Sequence, residues 1–268
     1  FVIRTGEPIG QIWGYKSAGR YEVSDFDIAA SQAAGKWVLK EGVVDCSGIL
    51  GTSVQPGSMK LMETKAEKTG TITTADRQVI GDTNPLAIGG FNLNARIYNF
   101  DFSANFNYSI GNDVYNANAI EYTQTSKYQY RNLISTMQAG SRWNNIDAMG
   151  NYLNWNNADE LAALNANTTM WSPYTGKYIL TDYYVEDASF LRLSTLTLGY
   201  TLPQAWLKKI GISNLRFYAT AYNVFCLTNY SGFDPEVSTM RKTNLTPGVD
   251  YSAYPKSRQF VIGLNLNF

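Results

Sequence analysis

The chain ends Ser257-Arg-Gln-Phe-Val-Ile-Gly-Leu-Asn-Leu-Asn-Phe268. Phe260, Ile262, Leu264, Leu266 and Phe268 fall on one parity, and Gln259, Val261, Gly263, Asn265 and Asn267 on the other. A strand sends alternate side chains to opposite faces, so this segment carries one continuously apolar face and one of mostly small or amide groups. A sandwich strand in water can show such alternation. A transmembrane barrel strand shows it with the apolar face toward lipid and the polar face toward the lumen. An open sheet edge does not survive in lipid, so a membrane strand of this kind pairs on both sides in a closed barrel.

Two runs near residue 100 repeat the pattern. Phe91, Leu93, Ala95 and Ile97 alternate with Asn92, Asn94 and Arg96. After Tyr98-Asn99 the parity resets, and Phe100, Phe102, Ala104, Phe106, Tyr108 and Ile110 alternate with Asp101, Ser103, Asn105, Asn107 and Ser109. Two alternating runs around a two-residue turn predict a β-hairpin. The face opposite the aromatics in the second run is Asp, Ser and Asn throughout, which suits a wet lumen better than bulk solvent. Residues 215–225 form a further strand with Arg216 on the polar side. In 190–202, Leu196, Leu198, Tyr200 and Leu202 share one parity while Leu191 and Leu193 share the other. Since a one-residue slip flips every side chain, either a β-bulge near Ser194-Thr195 or a strand whose upper part has left the membrane is expected.

The predicted fold is therefore all-β, a transmembrane antiparallel barrel portion. Its strands lie at about 91–97, 100–110, 190–202, 215–225 and 258–268, with residues 1–90 an extracellular region and an approach to the barrel. Connections alternate in length: 98–99 and 203–214 are short, 112–181 and 228–256 long. Short periplasmic turns and long external loops put Phe268 at the periplasmic side. Candidate lumen-facing residues are Asn94, Arg96, Asp101, Asn105, Asn107 and Arg216. Residues 158–165 read as a short helix with acidic residues in its first turn. Tyr128, Tyr130, Trp143, Trp155 and Trp171 in the long loop are candidates for contact with a protein lid or a substrate, or for packing the loop on itself.

Composition agrees with a surface that is not ordinary. Charged residues are 16%, against about a quarter in typical domains, and aromatics are 14% with 19 tyrosines. Basic and acidic residues balance at 22 each, so no nucleic-acid partner is implied. No run approaches the roughly 18 apolar residues of a membrane helix. The start, Phe1-Val-Ile-Arg-Thr-Gly-Glu7, has no signal peptide, so the chain reads as a piece of something longer. Histidine is absent, which removes His-based triads and His metal sites. Carboxylate pairs such as Asp234 and Glu236 read as loop charges and turn chemistry rather than a catalytic pair. No catalytic residue, cofactor site or metal site is expected, and Cys46 and Cys226 read as separate thiols.

One ordered set of motifs runs the length of the chain: Gly6-Glu-Pro-Ile-Gly-Gln-Ile-Trp-Gly-Tyr15, Asp76-Arg-Gln-Val-Ile-Gly-Asp-Thr-Asn-Pro85, Gly89-Gly-Phe91, Asn99-Phe-Asp-Phe102, Asn107-Tyr-Ser-Ile-Gly-Asn-Asp-Val-Tyr-Asn116, Ser189-Phe-Leu-Arg-Leu-Ser-Thr-Leu-Thr-Leu-Gly-Tyr-Thr-Leu-Pro203, Asn223-Val-Phe225 and Tyr230-Ser-Gly-Phe-Asp-Pro-Glu-Val237. With its terminal strand, the chain resembles the C-terminal part of SusC/RagA-type TonB-dependent outer-membrane transporters of Bacteroidetes. The resemblance implies the last strands of a plugged barrel of about 22 strands. It implies import of oligosaccharides or oligopeptides, a SusD/RagB-like surface lipoprotein as lid, and energy from TonB–ExbB–ExbD acting through upstream parts. The departure is at Met59–Thr73. Family members often carry an acidic Asn-Gly-Asp-Gly-like turn there, whereas this chain has Glu63-Thr-Lys-Ala-Glu-Lys-Thr-Gly70, which does not favour a calcium loop. The residues alone leave open a surface glycan-binding or adhesion module and a passive porin; the motif set argues against a siderophore receptor.

Overall fold

The computed structural model describes residues 1–268 except 126–129, 175–176, 178, 209–210, 240–242 and 244. It divides into two compact units. The first comprises 1–81, 115–185 and 240–251; the second comprises 82–114, 186–239 and 252–268. No helix among the described residues is long and apolar enough to cross a membrane, which says nothing of a β-barrel.

The second unit is built on one antiparallel sheet of five strands: β1 (Ala87–Ile97), β2 (Phe100–Ile110), β3 (Phe190–Thr201), β4 (Asn214–Thr228) and β5 (Gln259–Asn267). The spatial order is β5-β4-β3-β2-β1, so β1 and β5 are the edges among the described residues. The β1–β2 hairpin turns at Tyr98-Asn99, with Tyr98 at φ 54°, the left-handed conformation that tight hairpins require.

Register lays the alternation of each strand into rows. Leu93, Ala104, Leu196, Ala221 and Phe260 form one row, Ala95, Phe102, Leu198, Ala219 and Ile262 the next, and Ile97, Phe100, Tyr200, Phe217 and Leu264 a third. All three lie on one face, where Phe260 is 79% and Ile262 86% exposed. The intervening rows carry Asn92, Asn105, Thr195, Tyr222 and Gln259, then Asn94, Ser103, Thr197, Thr220 and Val261, then Arg96, Asp101, Gly199, Tyr218 and Gly263.

The parity conflict in β3 is resolved by a bulge. Asn105 pairs with Thr195 and the next residue, Phe106, pairs with Leu193, which leaves Ser194 as the extra residue. Leu191 and Leu193 thereby join the face of Leu196 and Leu198. In β4 the same interval runs from Tyr222 to Phe225, one residue longer than in β3. The distortion thus grows from β2 to β3 to β4, and Asn223 absorbs it at φ 52°. Asparagine is among the few non-glycine residues that tolerate that region.

The first unit has short strands and a large irregular share, yet it holds a core. Tyr21, Phe26, Leu50, Met59, Leu61 and Ile72 pack with Met137, Met170, Trp171 and Tyr184, all buried. The region 1–90 and the long loop 112–181, read from sequence as separate stretches, therefore contribute to one core. The helix expected in the long segment forms at Ala158–Asn165, with Asp159 and Glu160 in its first turn. Arg20 ties the segments together. Its guanidinium donates to Thr168 Oγ1 at 2.7 Å and to the Met170 carbonyl at 2.9 Å, and lies 4.7 Å from the Trp143 ring centre. Cys46 and Cys226 are free thiols. Burial pushes the Cys46 thiol up from its ordinary value, against relief from the Tyr21 hydroxyl.

Candidate functional site

The polar face of the sheet carries Arg96, Asp101, Arg192 and Arg216, and small residues shape it. Arg216 on β4 reaches across Gly199 on β3 to Asp101 on β2. Its Nε and Nη2 donate to the two carboxylate oxygens at 2.9 and 2.5 Å. A Cβ at Gly199 would stand 2.4 Å from the Arg216 guanidinium and 2.5 Å from the Asp101 carboxylate, so only glycine leaves the crossing open. Beside it the Tyr218 ring lies over Gly263 of β5, where a Cβ would meet the ring at 2.2 Å, and the Arg216 guanidinium sits 5.1 Å from that ring centre. The row therefore holds one bidentate ion pair whose side chains are about one quarter and one third exposed.

Above the bulge the face changes character. Arg192, between Leu191 and Leu193, is only 6% exposed. Its Nη2 donates to Asp234 Oδ1 at 2.7 Å and its Nε lies 2.8 Å from Glu236 Oε2. Lys256 Nζ adds a contact to Glu236 at 2.5 Å, and Asn107 Nδ2 donates to Glu236 Oε1 at 3.4 Å. Asn107 Oδ1 also accepts from Ser194 Oγ. Loop 229–237 is thus pinned over the polar face by charge. A second anchor holds its start: Tyr230 is buried with Val114 and Ala188, and the backbone N–H and hydroxyl of Ser231 each donate to Glu186 at 2.8 Å.

Of the lumen candidates, Asp101, Arg216, Asn105 and Asn107 lie on this polar face in the middle of the sheet, and Asn94 and Arg96 lie on it along the edge strand β1. Arg192 was not anticipated, although the parity flip at Leu191 and Leu193 is the signal that places it there. Asp234 and Glu236, read as turn chemistry, are its ionic partners as well.

The aromatic candidates of the first unit separate. Trp143 and Trp171 are each 3% exposed. Trp143 packs on Gly57 and donates to Asn145 Oδ1, and Trp171 meets Tyr183 edge-on at 4.8 Å. Both are core residues, which favours the packing alternative and corrects the lid or substrate one: a ring enclosed by its own unit has no face left for a lid or a sugar. Trp155 is half-buried against Trp37 at 6.1 Å. Tyr130 is fully exposed. Tyr128 lies outside the described residues. The first unit also has a cleft of about 570 Å³ lined by Trp13, Tyr15, Ile49, Arg77 and Lys177. There Arg77 Nε donates to the Tyr15 hydroxyl at 3.2 Å. Among the described residues no group of three or more Cys, Asp or Glu is arranged to hold a metal ion.

No protein-family model matches the chain. Among curated proteins it is similar to TonB-dependent receptor P3 of Formosa agariphila, with 30% identity over 271 residues, covering 100% of this chain and 23% of that protein. It is also similar to TonB-dependent receptor P39 of the same species, at 28% over 288 residues, covering 100% of this chain and 26% of that one. A third relative is TonB-dependent receptor SusC of Bacteroides thetaiotaomicron, at 29% over 202 residues, covering 74% of this chain and 17% of SusC. The chain thus spans about a quarter of the length of the curated relatives that it matches in full. Among solved structures it is similar to the RagAB peptide transporter, with a TM-score of 0.64 and 20% identity, covering 96% of this chain and 22% of that one. It is likewise similar to the RagAB peptide importer in its closed-closed state, with a TM-score of 0.61 and 22% identity, covering 96% and 23%. That likeness speaks to fold and the curated relatives to descent. With the ordered motifs and the two-faced sheet, they show that the chain belongs to the SusC/RagA family of TonB-dependent transporters.

Proposed function

We propose that the five-stranded sheet is a sector of an outer-membrane barrel wall, and that the whole protein is an active importer of oligosaccharides or oligopeptides driven through TonB. The observation that carries this is the sheet's division into an exposed apolar face and a polar face of small, amide and paired charged groups. Sheet edges left unpaired in lipid are prohibitively costly, so β1 and β5 need further strands, and the longer relatives leave room for them. Aromatic rows support the same reading. Phe91 and Phe106 stack at 4.6 Å near one end of the apolar face, with Phe225 6.4 Å from Phe106, and Phe100 and Tyr200 pair at 4.6 Å near the other. Six strand residues separate the rows, about 20 Å at roughly 3.4 Å per residue, close to the apolar band of a membrane barrel.

In this reading the polar face lines the lumen, β5 runs down to a periplasmic Phe268, and the long connections are extracellular. A SusD-like lipoprotein closes the outer mouth, with Tyr130 and Trp155 the aromatic candidates still free to meet it or the substrate. Two tests apply. Purification from outer membranes is expected to bring down a surface lipoprotein with a polypeptide several times heavier than 29.9 kDa. Uptake of the nutrient by the intact strain is expected to stop when TonB is deleted; continued uptake would reduce the protein to a passive pore.

A further inference from the structure

Residues 63–76 of the first unit fold around a positive charge that the chain itself supplies. Lys65 Nζ donates to the Thr71 carbonyl at 2.5 Å. It also lies 3.1 Å from Glu63 Oε1 and 3.3 Å from Asp76 Oδ2. An ammonium has three donors, and here three oxygens meet them. The place is enclosed: the side chains of Lys65, Glu63 and Asp76 are 13%, 6% and 0% exposed.

Both carboxylates are aimed by the backbone. Glu63 accepts from the Thr69 N–H at 2.7 Å and the Gly70 N–H at 3.3 Å. Asp76 accepts from the N–H groups of Thr64, Lys65 and Thr73 at 2.9, 3.1 and 2.7 Å. The hydroxyls of Thr69 and Thr73 stand within 3.3 Å of the same carboxylates. Without a cation at their meeting point, two shielded carboxylates and a carbonyl would face one another uncompensated. Two carboxylates and a carbonyl oxygen converging on one point are of the kind that a hard divalent cation takes.

We infer that Lys65 is a built-in substitute for a metal ion: its ammonium closes the loop 63–76 without any divalent cation, and a side chain of similar length lacking the charge would turn the same oxygens into a calcium-responsive site. Ammonium–oxygen distances of 2.5–3.3 Å exceed calcium–oxygen distances of about 2.3–2.6 Å, so the loop has only to contract, with water completing the shell. Expected affinity is weak, in the 10⁻⁴–10⁻³ M range of extracellular calcium modules. The inference does not depend on the transport reading, since it concerns one loop within one unit.

Trypsin reports on it directly, because Lys68 sits in the loop and remains cleavable when Lys65 is replaced. The full-length protein and its Lys65→Met variant would be digested in EDTA and in about 5 mM calcium, with cleavage after Lys68 followed by mass. The wild-type loop is expected to be cut slowly and at one rate in both buffers. The variant is expected to be cut at least roughly tenfold faster in EDTA, from loss of charge-assisted hydrogen bonds, and to regain most of its protection in calcium. A Lys65→Met, Glu63→Gln double variant is expected to lose that rescue. Calcium-dependent protection of the wild type would overturn the inference, and so would a variant that calcium fails to rescue. The wild-type arm alone decides the matter if the variant does not fold.

Discussion

Two arginines on one polar face have unequal stakes. Arg192 is almost fully enclosed with Asp234, while the Arg216–Asp101 pair is open to water. Removing one partner of a buried pair costs about 3–5 kcal/mol, whereas an exposed pair is worth roughly 0.2–1 kcal/mol. Arg192→Met is therefore expected to lower unfolding stability in detergent several-fold more than Arg216→Met; equal losses would refute the difference in burial. Gly199→Val should behave like loss of the Asp101–Arg216 pair with added strain, because its methyls fill the crossing. A pH effect belongs to Asp76. Burial opposes its ionisation, but the N–H groups of Thr73, Lys65 and Thr64 and the Lys65 ammonium outweigh it and hold its carboxyl at about 2. A depressed folded value stabilises above the unfolded value, so protection of loop 63–76 should be complete above about pH 4. It should fade as pH falls toward 2, and Asp76→Asn should flatten that profile in hydrogen exchange. At this scale the sequence showed which residues alternate with the apolar ones. It hid Arg192, whose partners Asp234 and Glu236 lie forty and more residues away in a loop.

At the scale of elements, the alternation of β1, β2, β4 and β5 was legible because each strand keeps one parity over its membrane-length span. The bulge in β3 was legible as a conflict between Leu191 and Leu193 on one side and Leu196 and Leu198 on the other. Its continuation into β4 was not, since Asn223 keeps the strand's parity while it inserts length. Deleting Ser194 alone is expected to leave Leu191 and Leu193 on the apolar face, since it removes the extra residue, whereas deleting Ser194 and Thr195 together is expected to turn Leu191 and Leu193 onto the polar face and Arg192 onto the apolar one. Heat-modifiable migration on gels, the signature of a folded barrel, should survive the single deletion and be lost in the double one; a doubly deleted protein that still migrates as folded would show that parity at this point does not set register. The first unit was the least legible part. Its core joins Tyr21 and Leu61 to Met137 and Tyr184, contacts between distant segments with no shared periodicity. For that reason the sequence left Trp143 and Trp171 open between loop packing and contact with a lid or substrate.

For the molecule as a whole, the reading rests on which medium meets each face of the sheet. Side-chain labels in the full-length protein, in its own outer membrane, answer this. Single spin labels placed from 259 to 267 would be scored for collision with oxygen, which partitions into lipid, and with a water-soluble nickel chelate. The expected pattern has a period of two: oxygen dominates at 260, 262, 264 and 266, and nickel at 259, 261, 263, 265 and 267. Nickel accessibility at both parities would place the sheet in water and end the barrel reading, and with it the transport function built on it.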